Sequence, residues 1–548
     1  MRRFPIVIAA IWLTVIVSCD IFSFDPREAT IDSLHHDLYT GLTTCQNVVS
    51  SFLSRIEALN EKVNAIISLN PSALVIANEL DASLRTGNTT GALFCIPILL
   101  KDNFDTNDLP TTGGNFALAQ SRPSEDAPTV AALRKAGAII LGKTNLHELA
   151  LEGISVSSLG GQTVNPYDKT RTPGGSSGGS GAAVAASFSV FATGTDTVNS
   201  LRSPASANNL FSVRPTRGLI TRRGIMPISY THDAVGPITR SVKDAAIALT
   251  VMASTGYDPT DNTTALVPME LHGKDYAASI TSGSLRNLRF GIVEGFFDRT
   301  ASSETSPVND AMSETLLKLQ AAGATIVSIR DPIYNATTIL STLDVQRYEY
   351  REEMASYLSR PSLGGAHPSK LEEIYSSSEF LVLPSQYEYV NTALVSSTSN
   401  DTYPIIKSGI ANLSLALQNT FTSNNISFLL YPEQKNLVVR LGSPSQAGRN
   451  GILAALTGSP VVTVPIGFSP PTEDAPIGVP IGMEILGRPW SEEELLKVAW
   501  QMERQWRIRK IPRMAEVVVE RKEYKTVPMV MPNRGEIPSA YPLGRLQI

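Results

Sequence analysis

Between Leu42 and Asn60 the apolar residues Val48, Val49, Phe52, Leu53, Ile56 and Leu59 recur every three or four positions. That spacing predicts an amphipathic helix with Thr43 or Thr44 at its N-cap. A strand-like run, AIISL, a second helical pattern, SALVIANELDASLR, and the apolar run LFCIPILL follow, the last predicting a strand that delivers Lys101 at its C-terminal end. The alternation continues through TVAALRKAG (helix), AIILG (strand), VKDAAIALTVMAS (helix), LRFGIVEG (strand), MSETLLKLQAAG (helix) and TIVSI (strand). Short apolar strands alternating with longer periodic segments predict an α/β fold around a buried sheet.

From about Pro332 to Asn425 the pattern weakens into Ser, Tyr and Thr, which predicts helices and loops covering the sheet rather than a separate domain. Regular structure returns in SPVVTVPIGF and in WSEEELLKVAWQMERQW, where Trp490 and Ser491 precede Glu492 to Glu494 in a capping arrangement with acids in the first turn. The division expected is residues 1–19 as signal, 20–509 as one catalytic domain and 510–548 as a peripheral tail rich in Pro, Arg and Lys.

Composition narrows the class. With 548 residues, 42% hydrophobic and 18% charged, the chain buries a large core. A net charge of −5 and the lack of a dense basic run argue against nucleic acid as a partner. Arg2 and Arg3 precede an apolar run from Ile6 to Val17, short for a membrane span and of the length of a secretory signal cleaved near Cys19. An uncleaved membrane anchor and a lipidation site at Cys19 are the alternatives. Secretion would leave Cys45 and Cys95 as an even pair in an oxidising compartment, either bonded or as two buried thiols. Sequons at Asn88, Asn262, Asn335, Asn400, Asn412 and Asn425 suit a secreted glycoprotein.

Several chemical signals are decoys. Gly137 to Thr144 satisfies the expression of a phosphate-binding loop, but its centre, Ala-Ile-Ile-Leu, is a buried strand pattern rather than an open cradle. The scattered histidines, with His35 and His36 on a helix without an acid at ligand spacing, form no metal motif, and no metal or cofactor is expected. His147 has no readable Asp or Ser partner and is assigned a structural role.

Two Gly- and Ser-rich stretches carry the chemistry: TPGGSSGGSGAA at Thr172 to Ala183 and GTDTVNSLR at Gly194 to Arg202. The first runs into an Ala-rich helix start and so reads as a compact loop, not a flexible linker. Together with Lys101 in PILLKDNFD, these segments resemble the amidase signature family, whose members use a Ser–Ser–Lys triad. Lys101 matches the family lysine, Ser176 the serine after a cis peptide bond, and Ser200 the nucleophile. Ser176 follows Lys101 by 75 residues and Ser200 follows Ser176 by 24, which is similar to the family spacing. PTTGG, TVAALRKAGAIILGKTNL, NPYD, SVRPTRGLI, DAVGPITRSVKDAA and GMEILGRPWSEEELL extend the resemblance over about residues 28 to 508. It implies one large mixed sheet flanked by helices on both faces, no cofactor, and a small-molecule amide substrate. Ser177 resembles the family's supporting serine; Ser180 reads as a loop or helix-start residue.

The chemistry is consistent with elementary arguments. A serine hydroxyl needs a proton acceptor, and a lysine made neutral by burial supplies one. Ser176 would relay the proton between Ser200 and Lys101 and return it to the departing amine. The resemblance implies an oxyanion hole from the backbone N–H groups of Thr197, Val198, Asn199 and Ser200. Here the chain departs from the family, which usually has two glycines where Val198 and Asn199 stand. A turn with ordinary backbone angles accommodates them; a turn requiring positive φ distorts the hole. Asp196 and Arg202 are supporting residues, with Arg202 read as holding the acid rather than a substrate carboxylate.

The expected function is amide hydrolysis through an acyl-enzyme on Ser200, in an extracellular chain resembling fungal members of the family. An acyltransferase using the same triad, an inactive amide-binding protein, and the glutamine-hydrolysing component of a tRNA amidotransferase are the rivals, the last disfavoured by the signal and the acidic surface. The residues from Pro332 to Asn450 are expected to shape the pocket. No oligomeric state is read from the sequence.

Overall fold

The structure, a computed structural model, describes residues 24–88 and 91–546. The signal expected over residues 1–19, with Cys19, lies outside them.

The first long helix spans Cys45–Leu59. Thr44, not Thr43, caps it, its hydroxyl accepting the Asn47 N–H, and the apolar stripe from Val48 to Leu59 is buried. Beside it lies one mixed sheet of eleven strands. Across the sheet the strands are Ile66–Leu69, Ile139–Thr144, Pro97–Lys101, Phe191–Asp196, Ala234–Thr239, Phe211–Arg214, Val461–Phe468, Pro480–Leu486, Phe428–Pro432, Arg289–Val293 and Thr325–Ile329. Helices flank it, as expected for an α/β fold.

The strand that carries Lys101 explains its own sequence. Pro97–Lys101 runs parallel to both neighbours, and all five residues are buried. A parallel strand covered on both faces reads as a continuous apolar run rather than an alternating one. It is shorter than the apolar run suggests, because Cys95 takes a positive φ and the backbone turns before Pro97.

One local expectation fails. Ser491 stands at the N-cap of helix Glu492–Trp506, but its hydroxyl donates to the Arg488 carbonyl at 2.7 Å instead of capping the helix. Glu492 turns inward to accept the Thr216 N–H at 2.6 Å. A local bond from the Ser491 hydroxyl to the preceding turn replaces the cap.

The segment from Pro332 onward forms a cover. Its helices include Ala336–Leu343, Gln346–Ser359 and Thr402–Ser423. Ile339, Leu413 and Leu417 pack with the sheet residues Val293 and Leu429, while Tyr350 and Met354 pack with Leu146, Leu149 and Met226. The cover thus shares its apolar contacts with the sheet layer. Residues beyond Lys510 run along the surface, anchored by Arg55 to the Val517 carbonyl at 3.0 Å and by the buried Tyr541, whose hydroxyl donates to the Ser443 carbonyl at 2.6 Å.

Candidate active site

The parallel pair Pro97–Lys101 and Phe191–Asp196 brings Lys101 beside the end of the strand leading to Ser200. Lys101 is fully buried, and its Nζ lies 2.7 Å from Ser176 Oγ and 2.8 Å from Thr195 Oγ1. Burial pulls its pKa down to about 7, against the opposing pull of the Asp196 and Asp233 carboxylates. At neutral pH a substantial fraction of this amine is therefore an uncharged proton acceptor.

Ser176 sits in the glycine-rich loop, after a cis peptide bond from Gly175. The loop enters helix Gly178–Ala185, every residue of which is buried. Close packing requires the glycines: a Cβ on Gly179 would stand 2.2 Å from the Asn145 carbonyl oxygen. Ser155, which sequence reasoning missed, braces the turn. Its hydroxyl donates to the Gly174 carbonyl at 2.8 Å and accepts the Gly178 N–H at 3.0 Å. Ser177 donates its hydroxyl to the Thr195 carbonyl at 3.2 Å, and its N–H lies 3.4 Å from the Ser200 carbonyl oxygen. These contacts join the loop to the turn bearing Ser200. Ser180 bonds the Thr193 carbonyl at 2.8 Å, a helix-start residue as read.

None of Thr197, Val198, Asn199 and Ser200 takes a positive φ. The departure from glycine therefore introduces no left-handed residue, and their backbone N–H groups meet no acceptor among the described residues. The Asn199 carbonyl instead receives the N–H groups of Arg202 and Ser203 at 3.0 and 2.8 Å, opening helix Arg202–Ala207. Gly451 packs against this turn so closely that a Cβ there would lie 2.5 Å from both Asn199 Cβ and the Val198 oxygen.

Beneath the turn is a fully buried charge network. Arg202 binds Asp196 through Nε and Nη2 at 3.0 and 2.9 Å and reaches Glu484 at 2.8 Å, while Arg214 meets Asp196 at 2.7 Å. Burial alone would raise the Asp196 carboxyl, but the two guanidinium groups hold it well below the usual range. Arg202 also donates to the Val198 carbonyl. Arg202 is fully buried, and the bonds it makes reach Asp196, Glu484 and the Val198 and Gly451 carbonyls.

The remaining candidates separate cleanly. Burial and the charges of Arg449 and Lys101 push His147 down to about 3, so it is a neutral imidazole and a poor base. Lys143, from the decoy phosphate motif, lies in a buried strand and points to Asp102 at 3.3 Å and the Phe104 and Pro110 carbonyls at 2.7 and 3.0 Å. The structure joins Cys45 to Cys95 in a disulfide, with Cα atoms 5.6 Å apart. All six sequon asparagines, Asn88, Asn262, Asn335, Asn400, Asn412 and Asn425, are exposed.

A cavity of about 450 Å³ opens beside the lysine, with Asn103, Thr195, Thr197, Met226 and Ile228 in its wall. Thr195 and Asn103 link it to Lys101: Asn103 Nδ2 donates to Thr195 Oγ1 at 3.1 Å. Thr195 lies inside the motif around the nucleophile, so its position was legible though its role was not.

Comparison with known proteins agrees with this geometry. The Amidase family profile matches residues 47–496. The chain belongs to the amidase family. It is 32% identical over 513 residues to a component chain of the glutamyl-tRNA(Gln) amidotransferase of Alkaliphilus metalliredigens, covering 90% of this chain and 99% of the relative. The peptide amidase of Stenotrophomonas maltophilia superposes with a TM-score of 0.78 at 31% identity, over 89% of this chain and 99% of that one. The corresponding glutamyl-tRNA(Gln) amidotransferase chain of Thermotoga maritima gives 0.69 at 25% identity, over 89% and 98%. The amidase is thus an enzyme of carbon–nitrogen bond chemistry. Among its described residues no helix is long and apolar enough to cross a membrane.

Proposed function

We propose that the amidase hydrolyses a small-molecule carboxylic amide with Ser200 as nucleophile, Ser176 as proton relay and Lys101 as base. The observation that carries this reading is the 2.7 Å approach of a buried, easily neutralised Lys101 to Ser176. Ser200 Oγ attacks the carbonyl carbon as its proton passes to Ser176, whose own proton passes to Lys101. The N–H groups of the 197–200 turn, unengaged by any described residue, stabilise the oxyanion. Collapse breaks the C–N bond, and the proton returns through Ser176 to the leaving amine. Water then attacks the acyl-enzyme, losing its proton along the same route, and releases the acid and free Ser200.

Against an inactive binding protein stands the negative φ throughout the turn. The test is fluorophosphonate labelling of the mature protein with mapping by mass spectrometry. Labelling at Ser200 that disappears in Lys101→Ala supports the triad; labelling elsewhere, or none on folded protein, rejects it. Product analysis with added amine separates hydrolysis from acyl transfer.

The same reading takes the protein to be extracellular and glycosylated, supported by the exposed sequons and the Cys45–Cys95 bond. N-terminal sequencing beginning at residue 20 or nearby, with a mass loss on deglycosylation, is the expected result.

A further inference from the structure

The cavity beside Lys101 is lined by more acids than bases, and its bases are already engaged. Arg222 is held by Asp261 at 2.6 Å, Arg223 by Asp258 at 2.8 Å, and Arg360 by Asp105. Each arginine in the wall thus already has a carboxylate partner, with Arg223 alone half exposed.

The acids divide differently. Asp105 and Asp261 are consumed in those pairs, and Asp126 meets Arg134 at 3.0 Å. Asp233 is occupied as well: it accepts the Thr197 hydroxyl at 2.6 Å and the N–H groups of Ile228 and Ser229 at 2.8 and 3.0 Å. Glu349, one turn before Glu353 on helix Gln346–Ser359, accepts from Ser229, Thr231 and Tyr403. Glu353 is different. It lines the cavity, is half-buried, and makes no hydrogen bond or ion pair with any described residue; Glu125, the other acid of the wall without such a partner, is exposed.

A second observation points to a ligand that brings a hydrogen-bond donor. Asn103 is buried in the cavity wall next to Thr195, and its Oδ1 has no donor among the described residues. A buried acceptor without a partner is costly unless something else satisfies it.

We propose that the substrates of this amidase carry a protonated amine, which Glu353 binds while the amide group is presented to Ser200. The assignment rests on the Ser200 chemistry proposed above and goes beyond it by naming the substrate class and a specificity-determining residue. A cation would offset the burial of the Glu353 carboxyl and its repulsion by Asp233 and Glu349, which push its pKa up to about 7 against the opposing pull of Arg222. A neutral acyl chain would leave that carboxyl without a charged partner and favour its protonated form.

The experiment compares two amides of equal length, one ending in an ammonium group and the other in a methyl group. Binding to the Ser200→Ala protein is measured by calorimetry, and kcat/KM is measured for the wild type, Glu353→Gln and Glu353→Asp. The wild-type ratio of kcat/KM should favour the ammonium compound by about tenfold or more, the low end for a hydrogen bond to a charged group. Glu353→Gln should bring that ratio close to one, mainly through KM, and Glu353→Asp should retain part of it. Equal affinity of Ser200→Ala for both compounds, or a preference that survives Glu353→Gln, overturns the assignment. Because the binding arm needs no turnover, it reads the Glu353 site even if Ser200 proves not to be the nucleophile. That second failure shows itself separately, as undiminished hydrolysis by Ser200→Ala.

Discussion

Asn199, the residue before the proposed nucleophile, donates its side-chain amide to Glu433 across 2.9 Å, and both residues are buried. Burial and the neighbouring Glu484 push the Glu433 carboxyl up to about 8, so at neutral pH it is mostly protonated and still accepts this bond. The side chain that replaces the usual glycine thus ties the turn to the strand region following Phe428–Pro432.

The tie has a measurable consequence. Asn199→Ala leaves a buried carboxyl without its donor and should cost about 1–3 kcal/mol, seen as a lowered Tm together with a fall in kcat. Glu433→Gln keeps an acceptor at the same place without adding charge, and both quantities should stay near wild type. Equal damage from the two substitutions would show that Glu433 acts as an anion.

Turnover of a neutral amide should rise with pH and reach half its plateau near pH 7. Lys101 is held to about 7 in the folded protein and accepts a proton only when neutral, so activity is lost as pH falls below that value. Lys101→Ala should lose about 10²–10⁴ in kcat, the usual range for a positioned general base. Lys101→Arg should not restore it, because a guanidinium stays protonated.

Arg202→Met should destabilise the protein by about 3–5 kcal/mol, because it strips the shared partner from two buried carboxylates, Asp196 and Glu484. Thermal unfolding reads this directly. A variant with unchanged Tm and a raised KM would instead make Arg202 a substrate ligand.

Replacing Cys45 and Cys95 together by Ala should lower Tm while leaving turnover at room temperature. The bond closes a loop with a sequence separation of 50, which on chain-entropy grounds stabilises by at most about 4 kcal/mol. A Tm insensitive to both substitution and reductant would mean the two thiols are free.

Much of this architecture follows from local pattern. The stripe from Val48 to Leu59 makes a helix and the apolar run before Lys101 a buried parallel strand, because side-chain period and burial are set within a few residues. The glycine-rich loop and the nucleophile turn are likewise contiguous, so Ser176, Ser200 and their spacing from Lys101 were legible as a family resemblance. Other features were decided only by folding. Glu492 found the Thr216 N–H at a separation of 276 residues, and Asn199 found Glu433 at a separation of 234. Ser155 and Glu353 carry no motif of their own, and Thr195, though inside the nucleophile motif, shows no role there. Their roles arise from which carbonyls, carboxylates and cavity walls the sheet brings within about 3 Å, hydrogen-bonding reach, and no one-dimensional pattern encodes that proximity. Local periodicity determined the elements and the candidate triad; burial, which sets the charge of Lys101, and long-range pairing, which shapes the cavity around it, belong to the tertiary structure alone.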